Sequence, residues 1–183
     1  MTHIHDIELF IYVLFAVYFI GFMLPALLVP QARIRRLYSA YVQPPIAPGP
    51  IVFSIVWTIM YLLSAVAYTR IRLMGEWVSG GNATALTFFV VLQVVLMLWA
   101  PTFVWGLWFA AIQTLAALAL SIAVTIMFWQ LDTTAGVLMG ILSLWLLFAM
   151  ILQWWMAFLN RSSNVVEPPL CRSCNGGVAI VPY

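Results

Sequence analysis

The sequence has very little charge. Lysine is absent, and seven arginines and five acidic residues make up only 7% of its 183 residues. An ordinary soluble domain has roughly 25% charged residues, which it needs to cover its surface. A soluble globular protein is therefore excluded. The net charge of only +2 also excludes a nucleic-acid-binding protein, which needs a strongly basic surface.

Apolar residues, in contrast, account for 66% of the chain. They form long runs of about 20 residues, the length that crosses roughly 30 Å of hydrocarbon. Five such runs cover residues 7–29, 50–71, 85–107, 108–130 and 134–158. In hydrocarbon the backbone must satisfy its own hydrogen bonds, so runs of this length predict helices rather than barrel strands. The sequence therefore predicts an all-α membrane protein, a bundle of five transmembrane helices within residues 1–160.

Ionisable side chains are missing from the apolar cores of these runs. Within the runs the only arginine is Arg70, near the end of the second run, and both histidines, His3 and His5, precede the first run. Proton relays, ion-coupled pumps and metal oxidases need ionisable groups or ligands at membrane depth. An enzyme is the weakest interpretation, because no nucleophile, base or metal-ligand set lies there. Asp132, just before the fifth run, is interpreted as part of an ordinary helix N-cap.

Basic residues in the short connections predict the orientation in the membrane. One side of the membrane has five of them and the other has two: Arg33, Arg35, Arg36, Arg161 and Arg172 against Arg70 and Arg72. Short loops rich in arginine stay on the inner side of a membrane. The sequence therefore predicts that the first connection and the C-terminus lie on the positive-inside face.

One face of the second run is aromatic. Phe53, Trp57, Tyr61, Ser64 and Tyr68 recur at steps of three and four residues and therefore share a stripe of a helix. Such a stripe fits either a seam between helices or the wall of a pocket for a flat apolar ligand. In the fifth run, a second face is formed by Trp145, Ala149 and Leu152, with Phe148 and Gln153 beside it.

Buried amides and small residues leave further alternatives open. Gln93, Gln113 and Gln153 either orient a ligand or hydrogen-bond between helices. Two pairs of small residues, Ala119 with Ala123 and Gly136 with Gly140, allow close approach either inside the bundle or to another membrane subunit.

Residues 161–183 are predicted to form an irregular tail. It contains Pro168-Pro169, Gly176-Gly177 and the only two cysteines, Cys171 and Cys174. Their CxxC spacing is half of a zinc site or a redox pair, and it is a weak metal candidate without two more ligands.

Residues 38–67 carry a resemblance to a known family. Three parts of this stretch carry it: Tyr38, the loop Gln43-Pro44-Pro45-Ile46-Ala47-Pro48-Gly49 and the helix segment Phe53-Ser54-Ile55-Val56-Trp57-Thr58-Ile59-Met60-Tyr61. Together they resemble the signature of the tryptophan-rich sensory protein family. This family is also called the translocator or peripheral benzodiazepine receptor family. Its third-helix and fifth-helix patterns are similar to Gln93, Trp99, Pro101 and Phe103, and to Trp145, Phe148-Ala149, Leu152 and Leu159-Asn160. The resemblance covers residues 7–160 and implies the same five-helix bundle.

The resemblance implies a non-catalytic protein that binds a porphyrin, haem or sterol among its helices. The implied ligand-binding residues are Trp57, Tyr61, Gln93, Trp99, Phe103, Trp145, Phe148, Ala149 and Gln153, and the implied lid is the loop with Gln43, Pro44 and Pro48. It also implies a homodimer, although the third run lacks the small-residue pair that such dimers use.

The chain also departs from the family pattern. Where the family has a lysine in the loop, this chain has Gln43. The family's two loop tryptophans are replaced by Ile46 and Ile51, and one of its prolines is replaced by Gly49. A retained framework with thinned ligand contacts suggests the alternative of a structural accessory subunit in a larger respiratory or bioenergetic membrane complex. The unusual tail and the divergent motif favour a mitochondrial membrane over a bacterial plasma membrane.

Overall fold

The computed structural model describes residues 12–13, 16, 29–74 and 81–161. Within these ranges six complete helices follow one another and no strand occurs. They are α1 (Gln31–Ala40), α2 (Pro50–Leu73), α3 (Gly81–Met97), α4 (Trp99–Trp105), α5 (Leu107–Leu131) and α6 (Thr133–Leu159). The prediction of an all-helical chain is confirmed for this part of the protein.

Four segments in the described ranges are long and apolar enough to cross a membrane. They are Pro50–Leu73, Asn82–Trp105, Leu107–Leu131 and Thr133–Leu159, so α3 and α4 together make one span. The multi-span membrane character is confirmed. The first predicted span, 7–29, lies almost entirely outside the described residues, as does the tail beyond residue 161 with Cys171 and Cys174.

The polar connection predicted between the first two spans contains a helix, α1. Ile34 and Leu37 form its apolar side and are buried, whereas Arg35 and Arg36 are exposed. Ten residues with three arginines have no run of apolar residues, so hydropathy alone gives no signal for this helix. It is stabilised by burying one narrow stripe against the bundle.

Single-residue turns connect the last three helices. Gly106 alone joins α4 to α5, with a φ of 151° that glycine adopts freely because it has no Cβ. Asp132 alone joins α5 to α6, and its carboxylate accepts a hydrogen bond of 2.7 Å from the Ala135 amide. Asp132 is therefore the N-cap of α6. These turns force neighbouring helices to pack side by side and antiparallel.

The break between α3 and α4 coincides with a proline. Pro101 has no amide hydrogen, so the carbonyl of Met97 lacks its usual helical donor four residues later. α3 ends at Met97, and α4 continues from Trp99 in nearly the same direction of travel across the membrane.

The four spans close a ring in which α2 and α5 each pack against α3 and α6. The main core lies inside this ring and contains Phe89 and Phe128, whose rings stack at 5.9 Å, together with Leu92, Met139, Leu142 and Leu146. Among the described residues before α1, Val13 is helical and packs against this core.

A second cluster closes one end of the bundle, which we call the loop face. Ile34 and Leu37 of α1 pack there with Phe103 of α4 and Met156 and Ala157 of α6. The connection between residues 30 and 49 therefore covers the end of the bundle where α2 begins, and α2 ends at the opposite face.

Close approach of α5 and α6 explains one of the small residues, Gly136. A Cβ added to Gly136 would lie 2.5 Å from the Trp129 Cα, which is far inside contact distance. Further along the same two helices, the Thr125 and Ser143 hydroxyls share a hydrogen bond of 2.9 Å. Gly136 thus serves packing inside the bundle. Ala119, in contrast, is exposed on the outer side of α5.

Candidate functional site

Five aromatic rings of α2 and α6 meet between these two spans, in what we call the aromatic seam. Phe53, Trp57 and Tyr61 lie along one face of α2, and Trp145 and Phe148 face them from α6. Successive ring centroids are 5.4–6.4 Å apart, and Trp57 meets Trp145 edge to face at 6.4 Å. Trp145 of the face predicted for the fifth run therefore contacts Phe53 and Trp57 of the face predicted for the second run.

The seam contains buried polar atoms without partners. The indole nitrogens of Trp57 and Trp145 are buried, and neither donates a hydrogen bond within the described part of the chain. An unsatisfied buried donor costs about 1–3 kcal/mol. Both atoms are donors only, so the chemistry that would satisfy them is an acceptor, such as a carbonyl or carboxylate oxygen or an unprotonated imine-type nitrogen.

Buried amides on the neighbouring spans show the same deficit. Gln93 of α3 is 4% exposed and both of its amide atoms lack partners among the described residues, as does the amide nitrogen of Gln153 on α6. Gln113 shows the deficit only at its amide oxygen, because its amide nitrogen donates to the Val95 carbonyl at 2.5 Å and so links α5 to α3. Of the two roles that the sequence allows for these amides, Gln113 therefore has the hydrogen bond between helices.

The structure separates two predicted ligand-binding residues from the seam. Trp99 and Phe103 stack on each other at 5.0 Å within the cluster at the loop face, where Phe103 also meets Tyr38 and Tyr41 of the connection. Ala149 is half-buried on α6, one turn beyond Trp145. The C-terminal part of the aromatic stripe on α2 also lies outside the seam, because the Tyr68 ring packs on the Phe89 ring of α3 with their centroids 5.0 Å apart.

The predicted lid loop is held to the loop face by its first residues. The Gln43 amide nitrogen donates to the backbone carbonyl of Tyr38 at 2.6 Å and to that of Tyr41 at 3.3 Å. Pro44 is buried, and Pro48 is half-buried just before α2 begins. The loop therefore lies over the end of the bundle, next to the start of α2 from which Phe53 and Trp57 project.

Asn160 fastens this loop to the end of α6. Its side-chain oxygen accepts from the Val42 amide at 2.9 Å, and its side-chain nitrogen donates to the Val42 carbonyl at 3.0 Å and to the Met156 carbonyl at 2.8 Å. Reciprocal bonds of this kind fix the position of the loop backbone. Sequence reasoning did not give Asn160 a role, and its only signal was its place at the end of the fifth-helix motif.

An ion pair ties two spans together at the opposite face. The Arg70 guanidinium donates to both carboxylate oxygens of Asp132, at 2.7 and 3.1 Å, and so joins the end of α2 to the α5–α6 turn. The Arg70 hydrogen bonds hold the pKa of the Asp132 carboxyl below its ordinary value, and the Ala135 amide contributes in the same direction. Asp132 thus supports both its own helix and the neighbouring span.

Two other features lie away from the seam. No group of three or more His, Cys, Asp and Glu side chains that could hold a metal ion occurs among residues 12–13, 16, 29–74 and 81–161. An open pocket of about 340 Å³ lies on the outer side of α5, lined by Thr125, Ile126, Trp129 and Gln130.

Comparison with known proteins identifies one family. The model of the TspO/MBR family matches residues 11–159, which include the connection between residues 30 and 49, the aromatic seam and all four described spans. No curated protein matches the chain in sequence.

Proposed function

The chain belongs to the TspO/MBR family, and on that basis we propose that it binds a flat apolar ligand, a tetrapyrrole or a sterol, between α2 and α6. Binding involves no chemical step. The observation that carries this proposal is the pair of buried indole N–H groups of Trp57 and Trp145, which lie in a seam of aromatic rings and have no hydrogen-bond acceptor among the described residues.

The composition of the seam suits this ligand class. Aromatic faces provide stacking surface for a flat molecule, and a few polar groups fix its orientation. Trp57, Tyr61, Trp145, Phe148 and Ala149 form the wall in this proposal, and Gln93 and Gln153 supply further polar atoms.

Ligand entry is proposed to occur at the loop face. The loop with Gln43, Pro44 and Pro48 acts as the lid, and Trp99 and Phe103 support it from below through their contacts with Tyr38 and Tyr41. These two residues therefore have a supporting role in the proposal rather than direct contact with a ligand in the seam.

The complete protein is proposed to have five spans. The helical positions 12, 13 and 16 and the packing of Val13 on the main core support a first span over residues 7–29. The arginine distribution supports a C-terminus on the positive-inside face. We place the protein in a mitochondrial membrane, where lipids surround the exposed apolar sides of its spans.

Conservative variants of the two seam tryptophans test ligand binding. Trp57→Phe and Trp145→Phe keep an aromatic ring and remove the N–H donor. One lost hydrogen bond is worth about 0.5–1.5 kcal/mol, so the Kd for a porphyrin should rise about 2- to 12-fold in each variant. Protoporphyrin quenching of tryptophan fluorescence measures this Kd.

The matched control is Trp129→Phe, because Trp129 is 53% exposed on the outer side of α5. Its Kd should equal that of the unmodified protein. Equal affinities in all three variants would reject the seam as the porphyrin site. The same variants would then be titrated with a sterol analogue, and equal affinities would reject the seam as the sterol site.

A second candidate function follows from the packing of the same rings. The seam rings contact each other at 5.4–6.4 Å, which also suits a permanent interface between helices. In that case the protein is an accessory subunit of a larger respiratory or bioenergetic complex.

Native electrophoresis of mildly solubilised source membranes separates the two functions. A monomer or homodimer supports the ligand-binding protein, and migration only with a large complex supports the subunit.

A further inference from the structure

The outer side of α1 presents positive charge at the loop face. Ile34 and Leu37 turn into the cluster with Phe103 and Met156, whereas Arg35 and Arg36 on the other side of the helix are exposed. The apolar stripe therefore fixes the helix with its basic side directed away from the bundle.

Exposed aromatic residues place this face at the boundary between hydrocarbon and water. Trp105 is 72% exposed at the end of α4, and Trp108, Trp155 and Phe158 are exposed beside it on α5 and α6. Trp108 and Phe158 contact each other edge to face at 5.1 Å. Tryptophan is enriched at the level of lipid headgroups. α1 packs on the ends of these same helices, so its arginines lie near that level.

The described part of the loop face has no carboxylate to balance Arg35 and Arg36. Residues 29–50, 99–111 and 153–161 contain no acidic residue. Of the five acidic residues only Asp132 is described, and it lies at the opposite face in its pair with Arg70. Arg161 adds a further exposed positive charge directly after Asn160, which binds the loop that follows α1.

We propose that the basic side of α1 is a docking surface for the phosphate groups of anionic phospholipids in the adjoining leaflet. A planar guanidinium binds phosphate through two parallel hydrogen bonds, and basic residues at a membrane surface attract anionic lipids. The surface selects lipids around the protein and anchors α1, which carries the loop over the seam. This inference does not depend on what the seam binds.

The test compares lipid selectivity of the full chain in nanodiscs that mix phosphatidylcholine with phosphatidylglycerol. Spin-labelled forms of both lipids report their relative association with the protein. The unmodified protein should prefer phosphatidylglycerol, and the Arg35→Gln/Arg36→Gln variant should lose about five-fold in relative association per charge at low salt. Added salt should reduce the preference of the unmodified protein.

The Arg35→Lys/Arg36→Lys variant is the matched control, because it keeps both charges on the same exposed positions. It should retain most of the preference. All three proteins should unfold at the same temperature, since neither side chain is buried. Equal selectivity of the glutamine variant and the unmodified protein would overturn the proposal, and so would a lysine variant as unselective as the glutamine variant.

Discussion

Gly136→Ala tests the close packing of α5 on α6. The new Cβ would lie 2.5 Å from the Cα of Trp129 and 2.7 Å from its Cβ, whereas carbon atoms in favourable contact are about 3.5–4.0 Å apart. The obstacle is backbone, which cannot rotate away as a side-chain end can. The two helices must therefore separate by about 1 Å, and overpacking of this kind costs about 1–3 kcal/mol.

Gly140→Ala, one helical turn later, is the control for this substitution. Its Cβ would lie 3.8 Å from the Thr125 Cγ2, which is an ordinary contact. Both variants gain the same helix preference of alanine over glycine, about 0.5–1 kcal/mol. The difference between the two variants therefore isolates the packing cost, and Gly136→Ala should be the less stable by about 1–3 kcal/mol.

Equilibrium unfolding in mixed detergent micelles, followed by tryptophan fluorescence, measures this difference. A Gly136→Ala protein as stable as the Gly140→Ala protein would show that α5 and α6 do not approach as closely as the structure has them. The role assigned to Gly136 would then be wrong.

Two further predictions concern the two ends of the bundle. Asn160→Ala removes both hydrogen bonds to Val42, so hydrogen exchange of the Val42 amide should accelerate about 5- to 150-fold. The control variant Leu159→Ala should leave this exchange rate unchanged. Equal exchange rates in both variants would show that Asn160 does not hold the loop. At the opposite face, the pKa of Asp132 is lowered in the folded protein, so its contribution to stability is present above the ordinary pKa of about 3.9 and disappears as pH falls through the lowered value. Unfolding measured between neutral pH and about pH 3 should therefore show a smaller loss of stability on acidification in Arg70→Gln than in the unmodified protein, and an unchanged profile would contradict the ion pair.

The helical membrane-spanning character could be predicted because it depends on the length of apolar runs. The run beginning at Pro50, for example, has the length and composition of a span whatever its neighbours are. α1 could not be predicted in this way, because its stability comes from burying Ile34 and Leu37 against residues far away in the chain. The Asn160 contact with Val42 was missed for the same reason, since it joins positions 118 residues apart.

The candidate site was predictable only as separate helix faces. Periodicity placed Phe53, Trp57 and Tyr61 on one side of a helix, but it does not say which helix lies opposite. In an all-apolar span every side is compatible with burial or with lipid, so neighbours are decided by turns and packing. The break at Leu98 and the turn at Gly106 place Phe103 in the loop-face cluster, and no sequence period reports that distinction.

The single-residue turns at Gly106 and Asp132 have a consequence for biosynthesis. Between Trp99 and Leu159 the only charged side chain is Asp132, so α5 and α6 can enter the bilayer together as a hairpin with one carboxylate to translocate. A lone Asp at the centre of a membrane helix costs about 2.5–3.5 kcal/mol during insertion. Arg70 precedes Asp132 in the chain and is synthesised first. In the proposed orientation, the Asp132 carboxylate crosses the bilayer after Arg70 and pairs with its guanidinium on the far side.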